Sequence, residues 1–255
     1  METGDFAMVK ERNLKIVVAY QGTAYHGFQW QENALSVQQV LEDRLMPLFG
    51  HPIKIAGSGR TDTGVHAYGQ AISLRTTGTI PAERIPLASR GHLPNDISIV
   101  SAEEVADDFH ARHSATSKVY EYRLYHGKQP DPFRRDLTWH YSRKLDFAAM
   151  QEALRYVEGT HDFTAFQGAG GHQINTVKTI YEASLQAVGD EYLFRFWGNG
   201  FLYHMVRCLV GTVVAIGIGR KKAADMPLIL ESRNRKMAGM TAPAQGLYLK
   251  EVFYT

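Results

Sequence analysis

Two periods run along the chain, one of two residues and one of three to four, and they divide it into strands and amphipathic helices. Leu14 to Tyr20 is a short β-rich run ending at the turn Gln21-Gly22-Thr23, which predicts an opening strand. Ser36 and Gln39 form a capping-box signature, after which Val37, Val40, Leu41, Leu45 and Leu48 recur at helical spacing. A helix is expected from Ser36 to about Phe49, closed by Pro47 and Gly50. Ile53 to Ala56 and Gln70 to Arg75 alternate apolar and polar residues, so strands should flank the glycine-rich stretch between them. Pro81 to about Arg90 reads as a second helix and Ile97 to Val100 as another short strand.

Between Asp107 and Ser117 the pattern dissolves, which divides the chain into an α/β half of residues 1–110 and a second of residues 111–255. Lys118 to Tyr125 alternates strictly, with Lys118, Tyr120, Tyr122 and Leu124 on one face of a strand. Asp146 caps a helix with Met150, Ala153, Leu154 and Val157 inward and Gly159 at its end. Ile180 to Val188 and Tyr192 to Trp197, joined by Gly189-Asp190-Glu191, predict a hairpin. Phe201 to about Gly217 is apolar nearly all round and predicts a buried helix, yet His204, Arg207 and Gly211 share one stripe of it. A guanidinium carried inside needs an anion, and Asp62 is the candidate. A helix over Met226 to Lys236 and a strand over Leu247 to Tyr254 close the chain.

Asp62 lies in Gly57-Ser58-Gly59-Arg60-Thr61-Asp62-Thr63-Gly64-Val65-His66-Ala67, a lone carboxylate among three glycines and close to an arginine. Glycines let a ligand approach the main chain, and Arg60 offers a planar charged fork for phosphate or carboxylate. Asp and Thr beside Gly also form ordinary turns, so this loop alone proves little. It is no nucleotide-phosphate loop, because Val65 and His66 stand where lysine and Ser/Thr are required. Nor is it an aspartic-protease turn, since no second Asp-Thr-Gly occurs to share a proton.

Composition narrows the classes. With 255 residues, 44% apolar and 21% charged, the chain can bury a proper core without staples. Met1 to Glu11 is too polar and acidic for a secretory leader, and the apolar stretch within Phe201 to Ile218 is too interrupted to span a membrane. The single cysteine, Cys208, excludes internal disulfides and thiolate metal sites and suits a reducing cytoplasm. His110 and His113 have a spacing that suits a metal, but no third ligand accompanies them, so they are read as touching a ligand or capping a turn. The net charge of +2 is unremarkable, but Arg112 with Lys118, Arg134 with Arg135, Arg143 with Lys144, Arg220 to Lys222, and Arg233 to Lys236 form basic clusters that could track phosphates.

Taken together, these residues resemble the tRNA pseudouridine synthase A family. Gly59 to Ala67 is similar to its GRTDxGVHA motif, Asp108 to Arg112 to its DFHAR segment, and Lys118 to Tyr122 to its KxYxY strand. Asn199 to Arg207 resembles its N-x-F-x-x-H-M-V-R run, and Ala242 to Leu249 its APAxGLYL segment. Gln21, Phe28 and Lys178 depart from the usual Asp, Trp and Arg. The resemblance implies two ferredoxin-like α/β halves whose sheets join across a central catalytic cleft, in a cytoplasmic homodimer that clamps a tRNA anticodon arm. It implies isomerisation of uridine at tRNA positions thirty-eight to forty, without cofactor or metal. Asp62 would be the catalytic carboxylate, Tyr120 the ring that stacks on the target base, Arg207 the partner of Asp62, and Leu247 a packing surface for the base.

The chemistry fits those residue types. Breaking the bond from ribose to N1 and joining C5 to the same carbon needs one anion, as nucleophile or proton acceptor. Reaching the base requires an aromatic surface that receives it out of its stack. Arg60 and His66 suit the backbone near the target, and His110 is a further ligand contact. The alternatives are a tRNA-binding module without chemistry, and a hydrolase using a second carboxylate, Asp107 or Asp108, beside Asp62.

Overall fold

The computed structural model describes residues 10–171 and 174–255; residues 1–9, most of the stretch read above as too polar for a leader, lie outside them. The strands are β1 (Arg12–Tyr20), β2 (Ala56–Gly57), β3 (His66–Thr76), β4 (Ile97–Val105), β5 (Ser117–Tyr125), β6 (Trp139–His140), β7 (Gly159–Asp162), β8 (Val177–Val188), β9 (Glu191–Gly198) and β10 (Leu247–Phe253). The α-helices are α1 (Val37–Phe49), α2 (Ile85–Ala88), α3 (Phe147–Arg155), α4 (Met205–Gly217) and α5 (Asp225–Ser232). Among the described residues all ten strands form one mixed sheet in the order β4-β1-β3-β10-β5-β9-β8-β7, with β2 on β3 and β6 on β5. This is a mixed α/β fold in which strands of the first half meet those of the second through β10. That strand runs parallel to β3 at Tyr248 and Leu249 and antiparallel to β5 along most of its length.

One face of the sheet is sealed. Leu14, Ile16 and Val18 of β1, Tyr122 of β5 and Phe194 and Phe196 of β9 are each 0% exposed and share one core with Leu41 and Leu45 of α1, Met150 of α3 and Leu209 and Val213 of α4. Ser36 caps α1 by accepting from the Gln39 N–H, and Asp146 caps α3 by accepting from that of Ala149.

Several elements differ from the periodic pattern. Pro47 sits inside α1, which is closed by Gly50 at φ 76°. Ile53 and Ile55 are buried as their alternation requires, but only Ala56 and Gly57 pair with β3. Glu42 and Gln38 of α1 take the Ile55 N–H and C=O, replacing a strand neighbour. The helix expected over Pro81 to Arg90 is split into the 3₁₀ turn Ala82–Arg84, the four-residue α2 and the 3₁₀ turn Ser89–Gly91. Pro86 removes the backbone donor that a continuous helix would use there. Conversely, β4 continues to Val105, its polar end held by Glu103 on Lys15 at 2.9 Å and by Glu104 on Arg12. The last predicted helix stops at Ser232, where Arg233 turns left-handed at φ 50°.

The longest departure concerns α4, which starts at Met205 and not at Phe201. Phe201 instead packs edge-on against Tyr120, ring centres 5.0 Å apart. Farther along, α4 is in backbone contact with the 239–242 segment, since a Cβ on Gly211 would lie 1.8 Å from the Met240 carbonyl oxygen. Gly211→Ala is therefore expected to destabilise the fold by about 1–3 kcal/mol, read as a lower urea midpoint; an unchanged midpoint would show that the segment gives way freely.

Candidate active site

The stretch from Gly57 to Val65 leaves β2, crosses the end of the sheet and enters β3. Its backbone is fastened on two sides. On one, the Phe28 N–H donates to the Thr61 carbonyl at 3.2 Å, the Gly64 N–H to that of Tyr25 at 3.3 Å, and the Tyr20 and Thr61 hydroxyls share a buried bond of 2.8 Å. On the other, Lys118 Nζ donates to the Ser58 carbonyl at 2.7 Å, while Gln70 binds both the Ser58 hydroxyl and the Gly59 carbonyl. Burial, reinforced by Arg112, brings the Lys118 ammonium down to about 8.

Asp62 is thus presented as a partly exposed carboxylate on a rigid turn. Arg207 Nη1 donates to its Oδ2 at 3.0 Å, and His204 Nε2 lies 3.3 Å from the same oxygen. Arg207 is aimed by α4 and by Ala242, whose carbonyl accepts from Nε at 2.8 Å and whose N–H donates to the Arg207 carbonyl at 3.0 Å. The guanidinium therefore joins the loop of the first half to the helix and terminal segment of the second. Tyr120, 9% exposed on the sealed face of β5, stays a neutral phenol, because burial first, then Tyr20 and Asp62, raise its pKa far above the ordinary value. Leu247 opens β10 opposite Tyr122, and Leu249 stands opposite Tyr120, so both leucines share the face that carries Tyr120.

Over residues 16–114 and 153–255 the sequence matches the family model described as tRNA pseudouridine synthase. The chain belongs to the tRNA pseudouridine synthase family. Within that family it is 46% identical to the tRNA pseudouridine synthase A of Acetivibrio thermocellus over 95% of this chain and 100% of that protein. It is 47% identical to that of Lacticaseibacillus casei, over 94% and 98%, and 43% identical to that of Thermoanaerobacter sp., over 95% and 100%. A chain of the crystal structure of a Cbf5-Nop10-Gar1 complex aligns with 92% of this chain and 48% of its own at 12% identity and TM-score 0.40, too slight a likeness to carry inference. As a tRNA pseudouridine synthase family member the protein is an isomerase.

The remaining residues singled out in the sequence fall in different places. Arg60 is exposed, two positions before Asp62. His66 is 1% exposed and turned inward: Nδ1 accepts from the Gly22 N–H at 2.9 Å and Nε2 meets the Gln245 carbonyl at 3.1 Å. Burial lowers its pKa, and with both nitrogens engaged it ties Gly22 to Gln245. His110 caps a turn, its Nδ1 accepting from the Arg112 N–H at 3.1 Å. Among the basic clusters, Arg134 is engaged by Asp131, Asp190 and Glu191, Arg233 by Asp162, and Arg235 holds Gly239 and Thr241. Asp107, weighed as a second carboxylate, gives its carbonyl to Arg75. Ala242 and Thr61, both within the quoted motifs, carry contacts that no periodicity announces. Among the described residues no helix is long and apolar enough to cross a membrane.

Proposed function

We propose that this family member isomerises uridine to pseudouridine in the tRNA anticodon stem-loop, at positions thirty-eight to forty, with Asp62 as its catalytic carboxylate. The observation that carries the reading is the Arg207 to Asp62 contact of 3.0 Å, beside the buried ring of Tyr120. The reaction breaks the ribose C1′ to N1 bond and forms C1′ to C5; N1 gains a proton and C5 loses one. A fixed anion meets the first demand, as nucleophile or as proton acceptor. A neutral aromatic ring and the apolar Leu247 meet the second, a surface on which the extruded base rests while it turns. Arg60, exposed two positions before Asp62, is suited to the phosphate next to the target. The resemblance supports two ferredoxin-like halves, residues 1–110 and 111–255, in a cytoplasmic homodimer that takes tRNA as substrate.

Tritium release from tRNA labelled at uridine C5 tests this directly. The protein should release label, and release should vanish when the uridines of the anticodon arm are replaced by cytidine. No release from any labelled tRNA would refute the activity, and release that survives the replacement would refute the position. Tyr120→Ala should lower kcat/KM about 5- to 150-fold, the worth of one base stacked on an aromatic ring. An Ala variant as fast as the parent would remove Tyr120 from the site.

A further inference from the structure

We propose that His204 is a positioning residue for this isomerase: together with Arg207 it clamps one oxygen of Asp62, Oδ2, and so commits the other, Oδ1, to the reacting nucleotide. The inference rests on the reading of Asp62 as the catalytic carboxylate. Both contacts converge on Oδ2, at 3.0 Å from Arg207 and 3.3 Å from His204. A carboxylate oxygen that is bonded by Arg207 and covered by the His204 ring cannot exchange places with its twin without breaking the bond and displacing the ring.

The backbone around His204 is built for this contact. His204 is the N-cap of α4 yet makes no side-chain capping bond to the helix, so its ring does not serve the helix end. It is held at φ 59°, and with Arg233 it is one of two described non-glycine residues at positive φ. A residue persists there only where its surroundings over-determine it. Those surroundings are visible. The Gly168 N–H donates to the Tyr203 carbonyl at 2.8 Å, and a Cβ on Gly168 would lie 2.7 Å from both Cβ and Nδ1 of His204. The imidazole also stacks on Tyr203, ring centres 3.7 Å apart.

Protonation suits the role. The charged groups facing the ring are Asp62, Arg207 and Arg235; burial, the largest influence, and the two arginines lower its pKa, while Asp62 raises it. The lowering favours the neutral imidazole, which rests against Oδ2 without cancelling the charge of Asp62. Arg207 already supplies one cation, and a second would quench the anion the reaction needs.

Three variants of the full chain, assayed for tritium release from C5-labelled tRNA, test the idea. His204→Leu keeps the backbone demand and loses the polar nitrogen that meets Oδ2; His204→Gln keeps both; His204→Gly removes the side chain together with the demand for positive φ. Leu and Gly should lose about 10-fold in kcat, the order of one polar contact in a half-enclosed site, with KM little changed. Gln should recover most of that loss. A Gly variant that turns over within about twofold of the parent, or a Gln variant as slow as Leu, would overturn the proposal. Should Leu fail to fold, Gly and Gln still decide it. A parent protein that releases no label refutes Asp62 catalysis itself; a parent that releases it beside an undiminished Gly variant refutes only His204.

Discussion

Asp62→Asn is expected to abolish tritium release from C5-labelled tRNA, by about four orders of magnitude or more, while tRNA binding stays close to that of the parent. The change is nearly isosteric, and the turn that carries residue 62 is held by backbone bonds to Tyr25 and Phe28 and by the Tyr20 to Thr61 hydroxyl pair, none of which uses the carboxylate. What disappears is the negative charge, and an amide can neither attack the nucleotide nor take a proton from it. Filter binding with the same labelled tRNA separates the two effects. A variant that keeps a few per cent of the rate, or one that loses binding as well, would show that Asp62 is not the group on which the chemistry turns.

Arg207→Met should have the next largest effect. The side chain makes two bonds, to Asp62 and to the Ala242 carbonyl, and methionine fills the volume while making neither. Loss of a charge-assisted bond to a half-enclosed carboxylate costs about 1.5–3 kcal/mol, so kcat should fall roughly 10- to 150-fold. The variant should also unfold at lower urea, because the buried Ala242 carbonyl loses its partner. Arg207→Lys should not restore the rate: an ammonium on a flexible stem cannot reproduce two directed bonds to Asp62 and Ala242. Full activity in the Lys variant would mean that charge alone suffices and that the fork geometry is incidental.

What could be read from the chain follows from where its backbone partners come from. Helix α1 and the β8 to β9 hairpin satisfy their backbone locally, so caps and turn announce them, and the strand carrying Tyr120 shows itself by strict alternation although its partners β9 and β10 lie far along the chain. Ile53 to Ala56 alternates like a strand, but side chains of Glu42 and Gln38 bind Ile55, and no local rule foresees that exchange. Likewise the stretch before His204 keeps a helical apolar pattern while Phe201 is drawn off to Tyr120. In the site, the pairing of Asp62 with Arg207 was legible because a cation on a buried helix must find an anion. The inward turn of His66 was not, since a histidine at the first position of a strand gives no sign of which side of the sheet it takes. His204 shared a stripe with Arg207 in the sequence, but its reach to Asp62 depends on a left-handed backbone that composition does not reveal.

The position of β10 ties architecture to chemistry. The strand wedged between β3 and β5 follows closely on Ala242, the residue on which Arg207 leans. Displacing it would part the sheet at its middle and unseat the guanidinium together, so cohesion of the fold and the setting of Asp62 share one seam.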